Sequence, residues 1–348
     1  MSPKALLIIG EDQIAENRPY VSFGRFVKYA RRLQKKGLEL NIINYNQLLA
    51  GQVPRFTADR IRVVLFFPYQ YWNHQIEIYP DDRVYGDLRF GQEFKVFFRR
   101  VRRALERYYP GKKINYLNPP QACYLDRDKQ ATKDLLTKHA VPTPRSFKVS
   151  SLQDIQRLLD RGISLFLKPR FGSMGKGITY IDRENVISNF LFRKGRLISR
   201  QTDFNWRFNK IKDRENFLSR LLQRGFICEQ AIPLPTFKGR RFDFRVYVMF
   251  GKVVYLYAKS SEEMVTNWSQ GGRIDKRRAI LKAFPKSKVN LAKKLARQAT
   301  QSMGLNFAGI DVIFSQDLKS AYVLEGNAFP GFEKGFDLMK CLASSLTK

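Results

Sequence analysis

Cysteine is nearly absent from this 348-residue chain: Cys123, Cys228 and Cys341 are odd in number and far apart. That spacing argues against a disulfide framework and a metal cluster, and it suits a reducing compartment. Histidine is scarcer still, and neither His74 nor His139 has a partner pattern, so both are read as structural. Long apolar runs are missing too, since stretches such as VVLFF from Val63 fall far short of the roughly 20 residues a bilayer span needs. The opening MSPKALLIIG turns polar after Ile9 and carries no secretory pattern, so a cytoplasmic location away from membranes is expected. There is no internal repeat and no low-complexity tract. The last shortage is acidic: 31 Asp and Glu stand against 63 Lys and Arg, a net charge of +32.

Such an excess draws polyanions and acidic peptides and speeds their capture at low salt. The basic residues gather in RRLQKK from Arg31, FFRRVRRALERYYPGKK from Phe97, FRKGRLISR from Phe192 and DKRR from Asp275. Any one of these is explained equally well as a solvated helix face. Four together, with few acids between them, point to a polyanionic partner or a carboxylate-rich substrate. With 44% hydrophobic residues the chain has enough apolar material for two or three cores.

The N-terminal third alternates strand and helix. KALLIIG, LELNIIN and IRVVLFF have the composition of buried strands, and FGRFVKYARRLQKKG and EFKVFFRRVRRALERYYPG have helical periodicity. This is parallel-sheet logic, closing near Asn118. A helix from about Asp128 to His139 follows, then a proline-marked loop and strands. The stretch from Asn189 to Arg224, basic and aromatic, is helical in part and has the character of an insertion.

The strand GISLFLKPR feeds FGSMGKGI, and ITYI beyond it is again a strand. A phosphate-binding loop of the G-x-x-x-x-G-K-[ST] type is excluded, because Gly177 follows Lys176 and Arg170 stands five residues before Gly175. A dinucleotide fingerprint is excluded because a strand, not a helix, follows. What remains is a hairpin whose glycines, Gly172, Gly175 and Gly177, let backbone N–H groups fold over an anion, with Lys168 supplying a point charge. A plain turn is the simpler alternative. Near the C-terminus, AGIDVIFS and AYVLEGN form two strands. Alternation puts Glu325 and Asn327 on one face, and pairing brings Asp311 opposite. Two carboxylates and an amide oxygen are hard ligands suited to Mg²⁺ on nucleotide phosphates, the alternative being an exposed acidic strand end.

In this order the motifs resemble the ATP-grasp carboxylate-amine ligases, most closely their RimK-type branch, over roughly Asp126 to Gly335. The resemblance implies an α/β (α+β) fold with three parts: an N-terminal α/β pre-grasp domain over 1–118, a central ATP-grasp subdomain over 119–231 and a C-terminal one over 232–348. RDKQATKDLLTKHAVPTP is similar to the segment whose first lysine, here Lys129, contacts the nucleotide. FLKPRFGSMGKGI is similar to the second lysine, Lys168, with a covering loop that includes Ser173. FICEQAI resembles the hinge, where Glu229 would meet the adenine amino group and the backbone of Gln230, Ala231 and Ile232 would line the base. FDFRVYVMFGKVVYLYAKSS resembles the D-x-R strand pair, TNWSQGG the loop that gives Asn267, and GIDVIF with LEGNAFPG the metal hairpin. Two departures stand out: Ala258-Lys259 replaces the branch's double arginine, and 189–224 has no counterpart.

The resemblance implies phosphorylation of a carboxylate by ATP, attack of an amine on the acyl phosphate, and release of ADP and phosphate. Two Mg²⁺ ions, or Mn²⁺ in their place, would sit on Asp311, Glu325 and Asn327. Arg245 would hold the acyl phosphate with its planar fork, or else merely pair with Asp243 at the surface. The carboxylate and amine substrates are open, with an acidic peptide, a protein tail or an RNA-linked group as candidates. The alternative is a basic polyanion- or nucleic-acid-binding protein that keeps the fold.

Overall fold

The computed structural model describes residues 5–35, 37–78, 84–200, 204, 206–275, 278–331 and 336–346. Lys36, Lys276 and Arg277 of the basic clusters, and residues 201–203 and 205 of the 189–224 stretch, lie outside the described residues.

The first sheet is wholly parallel, in the order Glu39–Ile43, Ala5–Ile9, Arg60–Leu65, Lys113–Tyr116. Every residue of Ala5–Ile9 is buried, as expected of a strand covered on both faces. Its side chains divide by parity. Ala5, Leu7 and Ile9 pack on Phe90, Phe94, Phe97 and Phe98 of the helix Leu88–Tyr108. Leu6 and Ile8 pack on Phe23, Phe26 and Ala30 of the helix Val21–Gln34, which also takes Leu338 and Leu342 from the C-terminal helix Leu338–Ser345. The basic helix is therefore amphipathic: its phenylalanines fill the core while Arg99, Arg100, Arg102 and Arg103 are exposed.

The second sheet is antiparallel, ordered Asn209–Lys210, Val186–Ser188, Thr179–Ile181, Leu165–Pro169, Phe226–Gln230, Ser146–Phe147. Leu165–Pro169 and Thr179–Ile181 are the two arms of the glycine hairpin. Within 189–224 the expected helix is Arg214–Leu222, and a small hairpin, Leu191–Arg193 with Arg196–Ile198, precedes it.

The third sheet runs Arg273–Ile274, Lys252–Ser261, Arg240–Met249, Phe307–Phe314, Ala321–Asn327. One face carries Phe244, Val246, Ile310 and Val312 against Ala292, Leu295, Ala296 and Ala299 of the helix Lys286–Ser302. The residues between them, Asp243, Arg245, Lys259 and Asp311, are thereby turned to the opposite face. Asp311 pairs with Glu325 and Gly309 with Asn327, while Val312 pairs with Val323. Leu324 is thus an extra residue at a bulge, and both Leu324 and Glu325 reach the cleft described next.

Candidate functional site

Between the second and third sheets lies a cleft of about 420 Å³, within the range of small-molecule sites. Its lining includes Lys129, Lys168, Ser173, Gly175, Glu229, Gln230, Ala231, Ile232, Asn267, Asp311 and Glu325. Gly172 and Asn327 line a smaller recess alongside, together with Lys129 and Glu325. Gly177 and Arg245 stand outside both linings. At Gly177, φ is 72° and a Cβ would come within 2.7 Å of Pro169, so its glycine serves backbone shape and close packing.

One wall comes from the helix Lys129–Lys138 and the second sheet. Asp128 caps that helix by accepting from Ala131 N at 3.1 Å and pairs with Arg170, which ties the helix start to the glycine hairpin. Lys129 donates to the carbonyl of Gly172. Burial pushes its ammonium down to about 8, with Glu325 pulling the other way. Glu229, expected to meet an adenine amino group, lines the cleft and is bonded by two lysines. Its Oε1 takes Lys133 at 2.9 Å and its Oε2 takes Lys168 at 2.7 Å. Burial opposes ionisation of this carboxyl, but the two lysines outweigh it and hold it below its ordinary value. At the hinge, Gln230 N donates to Arg145 O and Ala231 N to Ser164 O.

The other wall is a row of charges fixed by strand register. Arg245 does not pair with Asp243, the simpler expectation. It lies opposite Asp311 in the ladder, and its NH2 donates to Asp311 Oδ2 at 2.9 Å while Nε contacts Oδ1 at 2.5 Å. Lys259 stands between two acids, 3.3 Å from Asp243 and 3.1 Å from Asp311. Asp311 is only 2% exposed, which removes the reading of an exposed acidic strand end. Burial raises its pKa, yet Arg245 and Lys259 bring it down to about 2. Asp243 goes the other way, pushed up to about 6 by burial despite Lys259 and a 2.6 Å bond from Thr266. Its Oδ1 is buried without a hydrogen-bond partner.

The glycine hairpin folds across the cleft mouth. Ser173 N donates to Tyr85 Oη at 2.6 Å, and Met174 O accepts from Ser269 Oγ and Gln270 Nε2 at 2.7 and 2.9 Å. Asn267 stands against Gly175 and uses its Oδ1 to cap its own turn, accepting from Ser269 N and Oγ.

The donor set suits the ligands the sequence implied. Asp311 and Glu325 are paired in register beside Asn327, whose Nδ2 donates to Gly309 O and leaves its oxygen as the remaining acceptor. Each carboxylate carries about four acceptor positions, so the ion pairs on Asp311 do not exhaust it for a hard cation. The sequence reading missed Lys133 and Lys259 as working residues. Lys133 was findable, four residues beyond Lys129 on one helix face. Lys259 was visible only as a departure from the double arginine.

A sequence profile described as YheC/D-like ATP-grasp matches residues 124–338, well over half the chain. The chain is 28% identical over 220 residues to the tetrahydromethanopterin:alpha-L-glutamate ligase of Methanocaldococcus jannaschii, covering 63% of this chain and 64% of that one. It is 28% identical over 258 residues to a probable alpha-L-glutamate ligase of Shewanella halifaxensis, covering 70% and 47%. The chain thus spans less than two thirds of either relative. Among solved structures, the ATP-grasp ligase PsnB complexed with a minimal precursor aligns over 99% of both chains, with TM-score 0.56 and 15% identity. The D-alanine–D-alanine ligase of Bacillus anthracis complexed with ATP aligns over 99% of this chain and 92% of its own, with TM-score 0.54 and 14% identity. With a matching profile across the residues that build both walls of the cleft, and the fold shared end to end, the chain belongs to the YheC/D-like ATP-grasp family, within the ATP-grasp superfamily.

Proposed function

We propose that the protein is an ATP-dependent carboxylate-amine ligase working in the cytoplasm, with the three-part organisation at 1–118, 119–231 and 232–348. The carrying observation is the opposition across one cleft of Lys129 and Lys168 on one wall to Asp311 and Glu325 on the other. Bound ATP would supply the phosphoryl group that activates a carboxylate as an acyl phosphate for attack by an amine, while Mg²⁺, probed as two ions and with Mn²⁺ as substitute, would offset phosphate charge.

The chain's own residues supply the rest. Lys129 and Lys168 place fixed positive charge beside the phosphates, and Ser173 and Gly175 lay backbone over them. The hinge backbone at Gln230 to Ile232 reads the base. The Ile232 amide is the candidate donor there, because the N–H groups of Gln230 and Ala231 are spent on Arg145 and Ser164. Asp311, Glu325 and Asn327 would hold the metal. Arg245 fixes Asp311 with two parallel contacts and lies next to Gly309, 3.0 Å from where a side chain at that position would begin. Gly309 thus leaves room for the guanidinium, from which the acyl phosphate would be steadied.

The relatives' names make glutamate the first small substrate to try, and the net charge of +32 makes an acidic peptide the first large one. ADP release measured against a panel of amino acids, acidic peptides and RNA fractions tests the reading. Release that depends on both an amine and a carboxylate supports it. ATP binding with no release on any pair would leave the polyanion-binding alternative in its place.

A further inference from the structure

The glycine hairpin carries a lysine, Lys176, that no role above accounts for. It is only 5% exposed. Its Nζ lies 2.7 Å from Glu77 Oε1, 4.3 Å from the centre of the Tyr85 ring and 5.9 Å from that of Trp206. Glu77 is oriented in turn by the indole N–H of Trp72, which donates to its Oε2. Three remote parts of the chain therefore meet on one ammonium: the hairpin, Glu77 with Tyr85, and Trp206 from the 189–224 stretch. Tyr85 has a second task, since its hydroxyl bonds both the N–H and the carbonyl of Ser173. Trp206 has one as well: its backbone N–H donates at 2.7 Å to Gln270 Oε1, and Gln270 Nε2 holds Met174 O. Ser173, Met174 and Lys176 are thus each fastened from outside the hairpin.

We infer that Lys176 is a positioning residue. Its buried pair with Glu77, boxed by Tyr85 and Trp206, ties the covering loop to the N-terminal unit and sets how readily the loop opens. The inference rests on the reading of that loop as the nucleotide cover. A desolvated ammonium over aromatic faces gains from the ring quadrupoles, and a charge left alone costs more at Lys176, whose side chain is 3% exposed, than at Glu77, which is 14% exposed and keeps its bond from Trp72. Glu77→Gln should therefore disturb the loop more than Lys176→Met, whose apolar side chain still packs on the rings.

Two measurements test this in the full chain. Hydrogen exchange over residues 170–178 needs no nucleotide. Release of a fluorescent ATP analogue needs one. In Glu77→Gln, loop exchange should rise about tenfold or more while the core strand Ala5–Ile9 stays protected, and release should quicken in parallel. The double variant with Lys176→Met should return toward the slower exchange of Lys176→Met alone, and Lys176→Arg should retain most of the protection. Unchanged loop exchange in Glu77→Gln overturns the inference, as does an equal rise across the whole chain, which would mean a general loss of stability. If the wild type binds no ATP analogue, the nucleotide reading and the role in release both fall, and the exchange result still decides whether the fastening exists.

Discussion

The two walls of the cleft are built from acids and bases in different proportion. On the wall from the second sheet, Glu229 is the acid between Lys133 and Lys168, with Lys129 alongside. On the wall from the third sheet, Asp243, Asp311 and Glu325 outnumber Arg241 and Lys259 in the lining, while Arg245 holds Asp311 from outside it. Each wall is internally paired, so neither leaves a whole set of charges uncompensated in a buried site. The surplus differs in sign. On the proposed function, a triphosphate with its metal would fit this polarity in one orientation, phosphate oxygens toward the lysines and cation toward the acids. Such a field would be in place before the ligand arrives, as electrostatic preorganisation requires.

The sharpest way to break the comparison is at the acidic wall. Glu325→Gln keeps shape and removes one charge from a half-exposed position, so the fold should persist. Mg²⁺-dependent turnover should drop about 10²-fold or more, read as steady-state ADP release. Wild-type turnover in this variant would show that the metal is held elsewhere. Lys168→Ala strikes the other wall. It removes a charge-assisted contact and leaves Glu229 with Lys133 alone, so ATP affinity should weaken by ~1.5–3 kcal/mol in calorimetry. An unchanged affinity would detach the lysine-rich wall from the phosphates.

A smaller effect separates the two aspartates of the acidic wall by pH. Asp311, held down to about 2, gives stability that is present above the ordinary value of 3.8 and is lost only as pH falls through 2. Asp243, pushed up to about 6, behaves in reverse: its contribution is complete below 3.8 and is lost as pH rises to 6. Between pH 4 and 6 Asp243 is thus the member of the pair that changes. The stability advantage of wild type over Asp243→Asn should shrink by on the order of 1 kcal/mol between pH 4.5 and 7, followed by urea denaturation. A difference independent of pH would mean that Asp243 ionises normally.

Much of this architecture was legible because local pattern and tertiary role agree. The continuous run ALLII marked a two-face-covered strand, and the phenylalanine spacing of the Leu88–Tyr108 helix marked its buried stripe. Asp311 opposite Glu325 followed from strand alternation, although the bulge at Leu324 was not foreseeable from a period of two. The partners of Glu229 and Arg245 were not legible. Lys133 is 96 residues from Glu229 and Asp311 is 66 from Arg245, so each pair depends on how sheets and helices are brought together. Alternation says which face a side chain takes, not which of several nearby acids it meets. The contacts of Lys176 with Glu77 and Trp206 were hidden for the same reason.

The smallest expected effect lies outside both walls, on the exposed side of the Leu88–Tyr108 helix. Arg99, Arg100, Arg102 and Arg103 are solvated there, and Arg102 pairs with Glu106 at 3.9 Å. Their replacement by Gln should change stability by less than about 0.5 kcal/mol, since exposed pairs of this kind contribute little. If the basic face gathers a large acidic acceptor, the variant should raise the apparent KM several-fold and flatten its dependence on salt, with turnover at saturation nearly unchanged. The reason is one of range: exposed charges steer encounters and are screened beyond ~8 Å at physiological salt, whereas bond formation depends on groups in contact with the reacting atoms. Rates measured from 50 to 300 mM salt, over which the Debye length shortens about 2.5-fold, decide it. Equal salt slopes for wild type and variant would return these arginines to the role of keeping an amphipathic helix solvated.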